Sequence, residues 1–326
     1  MAKKEKPATQ IIKALEFVKP ICKSKGLIQE QHCKIAWNYV ISSNDEMTIG
    51  CPIEIDFEAY PHLTQLIAAF KKTGESLVIT NFDDCVSIQS DNFEAIVPCC
   101  ELGQVEFDDP DILDEACQCD SRLIQSLKAL APIAERKSDN PFKTCVKIST
   151  DVSIATDGKQ LIEYYTGAMI PTLFIPKKSA EIIGKIKKQL SGIGWSDDSV
   201  TFWFDDNSFV KTKIVDATDN DTNQFFKCEN FHEVPENFFE SLEKLKPFAI
   251  DNKVYLTREK IYAGRGDNES NVTIDGLTEN MIFNVNYLLN FKNFTMISFD
   301  ADRTCVEFQN EIARGIVMGI KRNDKK

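Results

Sequence analysis

The chain has 326 residues, of which 43% are hydrophobic, and its formal net charge is −12. That length predicts two or three domains with ordinary apolar cores. A uniformly basic nucleic-acid binder is excluded, because a polyanion is repelled by this net charge unless the cations are gathered in one place. No apolar run approaches the roughly 18 residues that a membrane-spanning helix needs, and the 11 cysteines follow no disulfide framework. We therefore expect a soluble, cytoplasmic chain with reduced thiols and no membrane contact.

One short phrase occurs three times, at 14–21, 126–133 and 241–248. Each copy carries apolar residues at i, i+4 and i+7, which is the spacing of one helix face. A proline follows each face two residues later and predicts the end of the helix, because proline lacks an N–H and clashes with the preceding turn. The three faces and their prolines are Ile11, Leu15, Val18 and Pro20; Leu123, Leu127, Leu130 and Pro132; and Phe238, Leu242, Leu245 and Pro247. Three copies in register predict a triplicated unit.

A second kind of helix is predicted in each third of the chain, over 60–72, 177–190 and 284–292. Each follows a short apolar strand and precedes two alternating apolar runs joined by an acidic turn, a pattern typical of a β-hairpin. The acidic turn residues are Asp83, Asp84, Asp205, Asp206, Asp300 and Asp302.

This order of elements predicts an α+β fold of three tandem domains, each built from two helix-plus-strands units. The predicted domains span 1–105, 118–217 and 230–326. The stretches 101–120 and 217–230 are polar and poorly periodic, as linkers are.

The basic residues concentrate in the predicted helices. Five of the six helix windows carry net positive charge, and the window at 236–246 is the exception. If the helices share one surface, that surface can hold DNA phosphates while the acidic remainder repels them. The alternative is that Lys and Arg merely favour helix formation on solvated faces.

Four short segments resemble, in order, those of the bacterial three-domain DNA sliding clamp, the β subunit of DNA polymerase III. They are ATDGKQL at 155–161, KTKIVD at 211–216, FNVNYLL at 283–289 and GIVMGIKR at 315–322. The resemblance implies a ring in which helices line the hole and sheets form the outer wall. It also implies a head-to-tail homodimer with six domains in the ring.

The function implied by the resemblance is that of a processivity factor in DNA replication. Such a ring encircles double-stranded DNA without sequence preference and tethers a DNA polymerase and a clamp loader through short peptide motifs. Catalytic residues, cofactors and metal ions are not expected. The residues expected to face DNA are Lys13, Lys19, Lys23, Lys25, Lys71, Lys72, Arg122, Lys128, Arg136, Lys137, Lys177, Lys178, Lys185, Lys187 and Lys188.

The resemblance further implies a hydrophobic peptide pocket between the second and third domains. Its residues here are Thr156, Gly158, Lys159, Gln160, Leu161, Ile316, Val317, Met318 and Ile320. The ring interface, between the first domain and the third domain of the other chain, is expected to involve Leu66, Phe70, Val272 and Ile274.

Two departures from the family pattern fall in the predicted pocket. Lys159 and Gln160 stand where the family usually has His-Arg, and Gly319 stands where it has proline. The chain also runs on through 323–326. We therefore expect a divergent clamp, from a bacterium, a virus or a mobile element, with its own partner motif.

Two other functions remain open at this stage. One is an interaction scaffold that keeps the clamp fold without closing a ring. The other is a metal-dependent phosphodiesterase that uses the acidic turns, although catalytic acids usually converge in one cleft. A zinc site is disfavoured, because the nearest cysteines lack the usual CxxC spacing; they are Cys99, Cys100, Cys117 and Cys119.

Overall fold

The computed structural model describes residues 8–23, 25–101, 107–115, 117–264, 269–277 and 279–321. The chain forms two units, one of Met1–Ile124 with Lys185–Ile214 and one of Gln125–Gly184 with Val215–Lys326. The α-helices of the described residues are α1 (Ala8–Val18), α2 (Ile28–Gln31), α3 (Leu63–Phe70), α4 (Ser121–Leu130), α5 (Lys177–Ile183), α6 (Phe238–Leu245) and α7 (Val285–Leu289). No described helix is long and apolar enough to cross a membrane.

The strands of the described residues are β1 (Lys34–Ala36), β2 (Tyr39–Ser43), β3 (Met47–Pro52), β4 (Val78–Asn81), β5 (Cys85–Ser90), β6 (Phe93–Pro98), β7 (Cys145–Ile148), β8 (Val152–Thr156), β9 (Gln160–Tyr165), β10 (Leu173–Pro176), β11 (Leu190–Trp195), β12 (Ser199–Phe204), β13 (Phe209–Lys213), β14 (His232–Glu233), β15 (Lys253–Leu256), β16 (Lys260–Ala263), β17 (Ser270–Thr273), β18 (Met281–Asn284), β19 (Met296–Asp300), β20 (Cys305–Gln309) and β21 (Ala313–Met318). These strands pair with one another in antiparallel fashion throughout.

The repeated phrase forms a helix each time, and each helix ends where the proline predicts. α1, α4 and α6 end at Val18, Leu130 and Leu245, two residues before the proline. All nine residues of the three predicted apolar faces are at most 6% exposed. These helical predictions are confirmed, because periodicity and proline act through local geometry.

The second helices are shorter than predicted. The helix predicted over 177–190 ends at Ile183, and the chain then turns into β11. Gly184 ends α5 at a point where an added Cβ would lie 2.6 Å from the backbone of Lys128. The close packing between α5 and α4 therefore requires a glycine where α5 ends, and the sequence pattern did not reveal it.

The three acidic turns lie at the tips of hairpins, as predicted. They join β4 to β5, β12 to β13 and β19 to β20. The tight β12–β13 turn places Asn207 at a positive φ of 61°, which Asn tolerates better than most residues.

Two of the four sheets formed by the described strands connect strands from different predicted domains. The first unit has a six-stranded sheet in the order β1-β2-β3-β13-β12-β11, together with the three-stranded sheet β4-β5-β6. The second unit has an eight-stranded sheet in the order β10-β7-β8-β9-β21-β20-β19-β14, together with the four-stranded sheet β17-β16-β15-β18. The α+β fold class is confirmed, whereas the division at 1–105, 118–217 and 230–326 stays a prediction.

Residues 107–115, a described part of the first predicted linker, are docked on the six-stranded sheet. Two glycines of β11 allow this close approach, because an added Cβ on Gly194 would lie 2.0 Å from the Ile112 carbonyl oxygen and one on Gly192 would lie 2.6 Å from Leu113. The Asp114 amide donates to the β11 carbonyl of Ile193 at 3.0 Å. Residues 107–115 therefore belong to the folded unit, despite their polar, poorly periodic sequence.

Candidate partner and DNA-binding surfaces

The residues predicted to bind partner peptides come together on two neighbouring strands. β9 pairs with β21, which places Leu161 opposite Ile316. The Met318 amide extends this pairing by donating to the Lys159 carbonyl at 2.8 Å. Segments from the middle and the end of the chain therefore form one surface in the second unit.

One face of this sheet carries a cluster of four buried side chains, Ile154, Leu161, Cys305 and Ile316. They belong to β8, β9, β21 and β20, which lie side by side in that order in the sheet. We call these four residues the apolar hollow, and the side of the sheet that carries them the outer face.

The opposite face of the sheet packs against helices. Because side chains alternate along a strand, Gln160 and Val317 point away from the outer face. The Gln160 side-chain oxygen accepts a hydrogen bond from Asn290, at the end of α7, at 3.0 Å. On β8, Ser153 is hydrogen-bonded to Ser126 of α4 at 2.9 Å. Val317 is completely buried, so its predicted place in a peptide pocket is corrected to a place in the core.

Residues 219–228, which we call the strap, lie across the outer face. At its first end, Asp219 forms an ion pair with Lys147 of β7 at 2.5 Å. Further along, the Thr222 hydroxyl donates to the Glu163 carboxylate of β9. Glu163 is 2% exposed, so the strap satisfies part of the hydrogen-bonding need of a buried charge.

The second half of the strap is bound through its backbone. The Phe225 carbonyl accepts from the Arg303 guanidinium at 2.7 Å. The amides of Lys227 and Cys228 both donate to Glu307 of β20, at 3.0 and 3.2 Å. The polar part of the strap therefore contacts strands across the outer face, from β7 to β20.

Between these two ends, Phe226 packs against the apolar hollow. The Arg314 guanidinium of β21 lies 4.1 Å from the centre of the Phe226 ring, within the range of a cation–π contact. The same guanidinium donates to Glu163 and to Asn223, both at 2.6 Å. The Phe226 ring is thus in contact with the apolar hollow and with an arginine that is itself paired with Glu163.

The predicted pocket segment 156–161 forms a tight turn between β8 and β9. Gly158 has a φ of +81°, which favours glycine because a side chain would be strained there. The Thr156 hydroxyl donates to the Gln160 carbonyl at 2.7 Å and accepts from the Gly158 amide at 2.9 Å.

Burial, together with the nearby Asp157 carboxylate, raises the pKa of Tyr287 on α7.

The accessible part of the predicted pocket is small. Met318 is 41% exposed, whereas Leu161 and Ile316 are 5% and 4% exposed. Lys159 is exposed, and Ile320 is half-buried. Val152 and Phe226 both pack against the cluster that contains Leu161 and Ile316. Residues 323–326 lie outside the described part of the chain.

In the first unit, predicted DNA-facing lysines converge on one helix. Glu16 of α1 accepts a hydrogen bond from Lys71 at 2.5 Å and lies 3.6 Å from Lys19. The hydrogen bond from Lys71 holds the pKa of Glu16 below its ordinary value. Lys188 approaches the neighbouring residue of the same helix, with its Nζ atom 3.6 Å from the centre of the Phe17 ring.

In the second unit, the side chain of Lys177 is hydrogen-bonded to the backbone that follows α4. Its ammonium group donates to the carbonyls of Pro132 and Ala134 at 3.3 and 2.6 Å. These carbonyls belong to the turn that follows α4, and the ammonium group provides both of them with a hydrogen-bond donor. Burial, with a further contribution from nearby Arg136, lowers the pKa of Lys177.

The fifteen predicted DNA-facing residues differ in how accessible they are. Lys177 and Lys188 are half-buried. The other thirteen are exposed: Lys13, Lys19, Lys23, Lys25, Lys71, Lys72, Arg122, Lys128, Arg136, Lys137, Lys178, Lys185 and Lys187. Of these, Lys23 and Arg122 are paired with Glu30 and Asp120 at 2.5 and 3.0 Å.

Two of the residues predicted at the ring interface are core residues. Leu66 and Phe70 of α3 are 0% and 1% exposed, because the helix turns them into the first unit. Their side chains are not available to a second chain, and this part of the prediction is corrected. Val272 is half-buried in β17, and Ile274 just after it is 6% exposed.

The acidic turns do not form a metal site within the residues that the structure describes. No group of three or more His, Cys, Asp or Glu side chains there has a metal-binding arrangement. The carboxylates are used locally instead: Asp206 is 2.7 Å from Lys188, and Asp300 forms an ion pair with Arg303 at 2.5 Å. All eleven cysteines are free thiols.

No family model matches the sequence, and no curated protein sequence matches it. The fold is that of a DNA sliding clamp. The DNA polymerase III subunit β of Pseudomonas aeruginosa superposes with a TM-score of 0.82 at 13% identity, and the match covers 97% of this chain and 98% of that one.

The particular form of the fold is the bacterial β clamp. The sliding clamp of Bacillus subtilis gives a TM-score of 0.81 at 15% identity, with the same coverage of both chains. The β clamp of Helicobacter pylori, solved with a bound DNA ligase peptide, gives 0.78 at 14% identity, again over 97% of this chain and 98% of that one. The low identity agrees with the divergence expected from the sequence.

Sequence reasoning missed the strap and the docked first linker. Both segments are polar and lack a period, which favours their interpretation as linkers. In the strap, Phe225 and Phe226 are the available signal, since two adjacent aromatic residues are unusual in a solvated linker.

Proposed function

We propose that this chain is a DNA sliding clamp, a processivity factor for DNA replication that closes around duplex DNA as a head-to-tail homodimer. The observation that carries this proposal is the structural match over 97% of this chain and 98% of the P. aeruginosa subunit. A partial domain shared with an unrelated protein would not align over both full lengths.

The proposed DNA-facing surface consists of the exposed basic residues on and beside the helices. Phosphate contacts from such residues are sequence-independent and weaken with salt. Enclosure of the DNA allows the individual contacts to be weak enough for sliding. No catalytic role is proposed.

Ring closure is proposed to join the first predicted domain to the third domain of a second chain. In place of Leu66 and Phe70, we propose the exposed apolar residues of the three-stranded sheet, Val78 and Ile96, which are 55% and 66% exposed. In the third predicted domain, Phe248 and Ile250 are both 54% exposed and are proposed as the matching contacts.

The proposed partners are a DNA polymerase and a clamp loader that carry short peptide motifs. The H. pylori clamp solved with a DNA ligase peptide supports peptide binding by proteins of this fold. The eleven free thiols support the proposed cytoplasmic compartment, where thiols stay reduced.

The first test is molar mass in solution by light scattering across a dilution series. A mass of twice 36.9 kDa supports the closed dimer. The second test is retention on bead-tethered linear duplex, loaded through the free end before that end is blocked. A ring stays bound at high salt until the DNA is cut, whereas an open scaffold washes away. A concentration-independent monomer that is not retained would contradict the proposal.

A further inference from the structure

The strap resembles a bound peptide more than a structural loop. The short 3₁₀ turn Asn223–Phe225 within it contains no buried residue. Phe225 is 45% exposed, and Phe226 is half-buried against the apolar hollow. A segment with few buried apolar contacts belongs to the part of a protein that opens most readily by local unfolding.

The contacts of the strap define a recognition chemistry. One aromatic ring, that of Phe226, packs against the apolar hollow beside Arg314. One backbone carbonyl, that of Phe225, accepts from Arg303, and two following amides donate to Glu307. These groups would equally bind any extended peptide that carries an aromatic residue followed by two free amides.

The hollow also coincides with the predicted partner pocket, because Leu161 and Ile316 belong to both. The same apolar surface cannot be covered by Phe226 and by a partner side chain at the same time. Displacement of the strap would expose the hollow beside Met318, which is already 41% exposed.

We propose that the strap is an intramolecular ligand that occupies the partner site, and that the site binds extended peptides carrying an aromatic residue, which must displace Phe226. The proposal rests on the peptide pocket of the proposed function. It makes partner binding a competition with a tethered segment, whose effective concentration is high. If the strap is seated about 99% of the time, the apparent affinity for a partner falls about 100-fold.

The first experiment measures strap opening by native-state alkylation with iodoacetamide and peptide mapping. Cys305 lies in the hollow, and Cys145 lies in a separate core cluster with Phe142 and Phe174. Both thiols are completely buried, and burial raises the pKa of each to about 12. They therefore form a matched pair: Phe226 of the strap packs against the cluster of Cys305, whereas Val215 and Ala217, which lie outside the strap, pack against the cluster of Cys145.

In the unaltered protein, we expect Cys305 to react about tenfold or more faster than Cys145, because local opening is more frequent than global unfolding. Phe226→Ala should accelerate Cys305 about tenfold further, whereas the neighbouring Phe225→Ala should leave it unchanged. Equal rates for Cys305 and Cys145 in all three proteins would overturn the proposal. The comparison in the unaltered chain decides the matter even if a variant is unstable.

The second experiment measures ligand chemistry with a fluorescent peptide of residues 219–229 in which Ser replaces Cys228. Phe226→Ala, with its hollow vacant, should bind this peptide about tenfold or more tightly than Phe225→Ala does. Equal affinity for the two variants would show that the hollow is not a peptide site. Neither experiment involves DNA or ring closure, so its failure is distinguishable from failure of the clamp function itself.

Discussion

The carboxylate of Asp111 accepts a hydrogen bond from the hydroxyl of Thr201 at 2.9 Å, although 90 residues separate the two in the sequence. The Asp111 amide donates back to the same hydroxyl oxygen at 2.9 Å. Ser199 also donates to the carboxylate, at 3.0 Å, and the Lys211 ammonium lies 3.5 Å away. With its side chain only 8% exposed, Asp111 fastens the first linker to β12 and β13.

Replacement of this carboxylate should destabilise the first unit. We expect Asp111→Ala to lower the free energy of unfolding by about 1–3 kcal/mol, because it removes a nearly buried carboxylate that accepts hydrogen bonds from two hydroxyls and lies 3.5 Å from one ammonium group. Chemical denaturation measures the change. Asp108→Ala, at an exposed position of the same linker, should stay within about 0.5 kcal/mol of the unaltered protein. An equal loss in both variants would contradict this role for Asp111.

Reversal of charge on the proposed DNA surface should weaken duplex binding. Lys128 on α4 and Lys178 on α5 are exposed, and each change to Glu should lower affinity about threefold to tenfold at low salt. The slope of log affinity against log salt should become shallower by about 0.9 for each phosphate that the variant no longer neutralises. Titrations of labelled duplex at several salt concentrations give both quantities.

Lys213→Glu is the matched control for charge, since Lys213 is exposed on β13, outside the proposed surface. It changes the net charge by the same amount. If Lys213→Glu weakened binding as much as Lys128→Glu, the effect would come from net charge and not from a localised basic surface.

The proposed ring interface predicts a change in molar mass. Ile96 is 66% exposed on β6, and Ile96→Glu places a charge where an apolar contact is proposed, so the dimer should dissociate at concentrations where the unaltered chain is paired. Light scattering measures this directly. Ile112→Glu, at an 89% exposed position of the first linker, should remain dimeric; dissociation of both variants would argue against a specific contact at Ile96.

The stability of the first unit should fall at acidic pH through His62. Burial, together with nearby His32, lowers the pKa of His62 below 6.5. His62 precedes α3, where its ring nitrogen accepts from the Gln65 amide at 3.5 Å. Because the folded-state pKa is depressed, the unfolded state binds the proton more readily. The contribution of neutral His62 to the stability is therefore fully present above pH 6.5, and it is lost as the pH falls through the lowered pKa of the folded state.

Thermal unfolding at a series of pH values measures this effect. We expect the unfolding temperature to fall more steeply below pH 6.5 in the unaltered chain than in His62→Gln, which keeps an acceptor but does not titrate. Parallel curves for the two proteins would assign the acid sensitivity to other groups.

Most secondary structure could be predicted because its causes are local. The helix faces around Leu15, Leu127 and Leu242 follow from periodicity, and the prolines end the helices by sterics alone. The helix expected over 177–190 was too long: it ends at Ile183, and the next residue, Gly184, packs closely against the backbone of Lys128. That contact depends on a residue far away in the sequence.

The candidate site was only partly predictable. The sequence located the two segments around Leu161 and Ile316 that pair in the sheet. It did not reveal that Val317 turns to the helix side, or that Leu66 is buried inside the first unit. Which face of a strand or helix meets the core depends on what packs against it, and a short motif carries no such information.

By itself, the sequence determined the repeated helices, their ends at proline, the acidic hairpin turns and the segregation of positive charge, since each depends on neighbours within a few residues. The tertiary structure alone decided that polar linkers become bound segments. Asp111 and Phe226 each find their partners on strands distant in the sequence. Hydrogen bonds and apolar contacts of that kind form only once the sheet has formed, so no local sequence pattern predicts them.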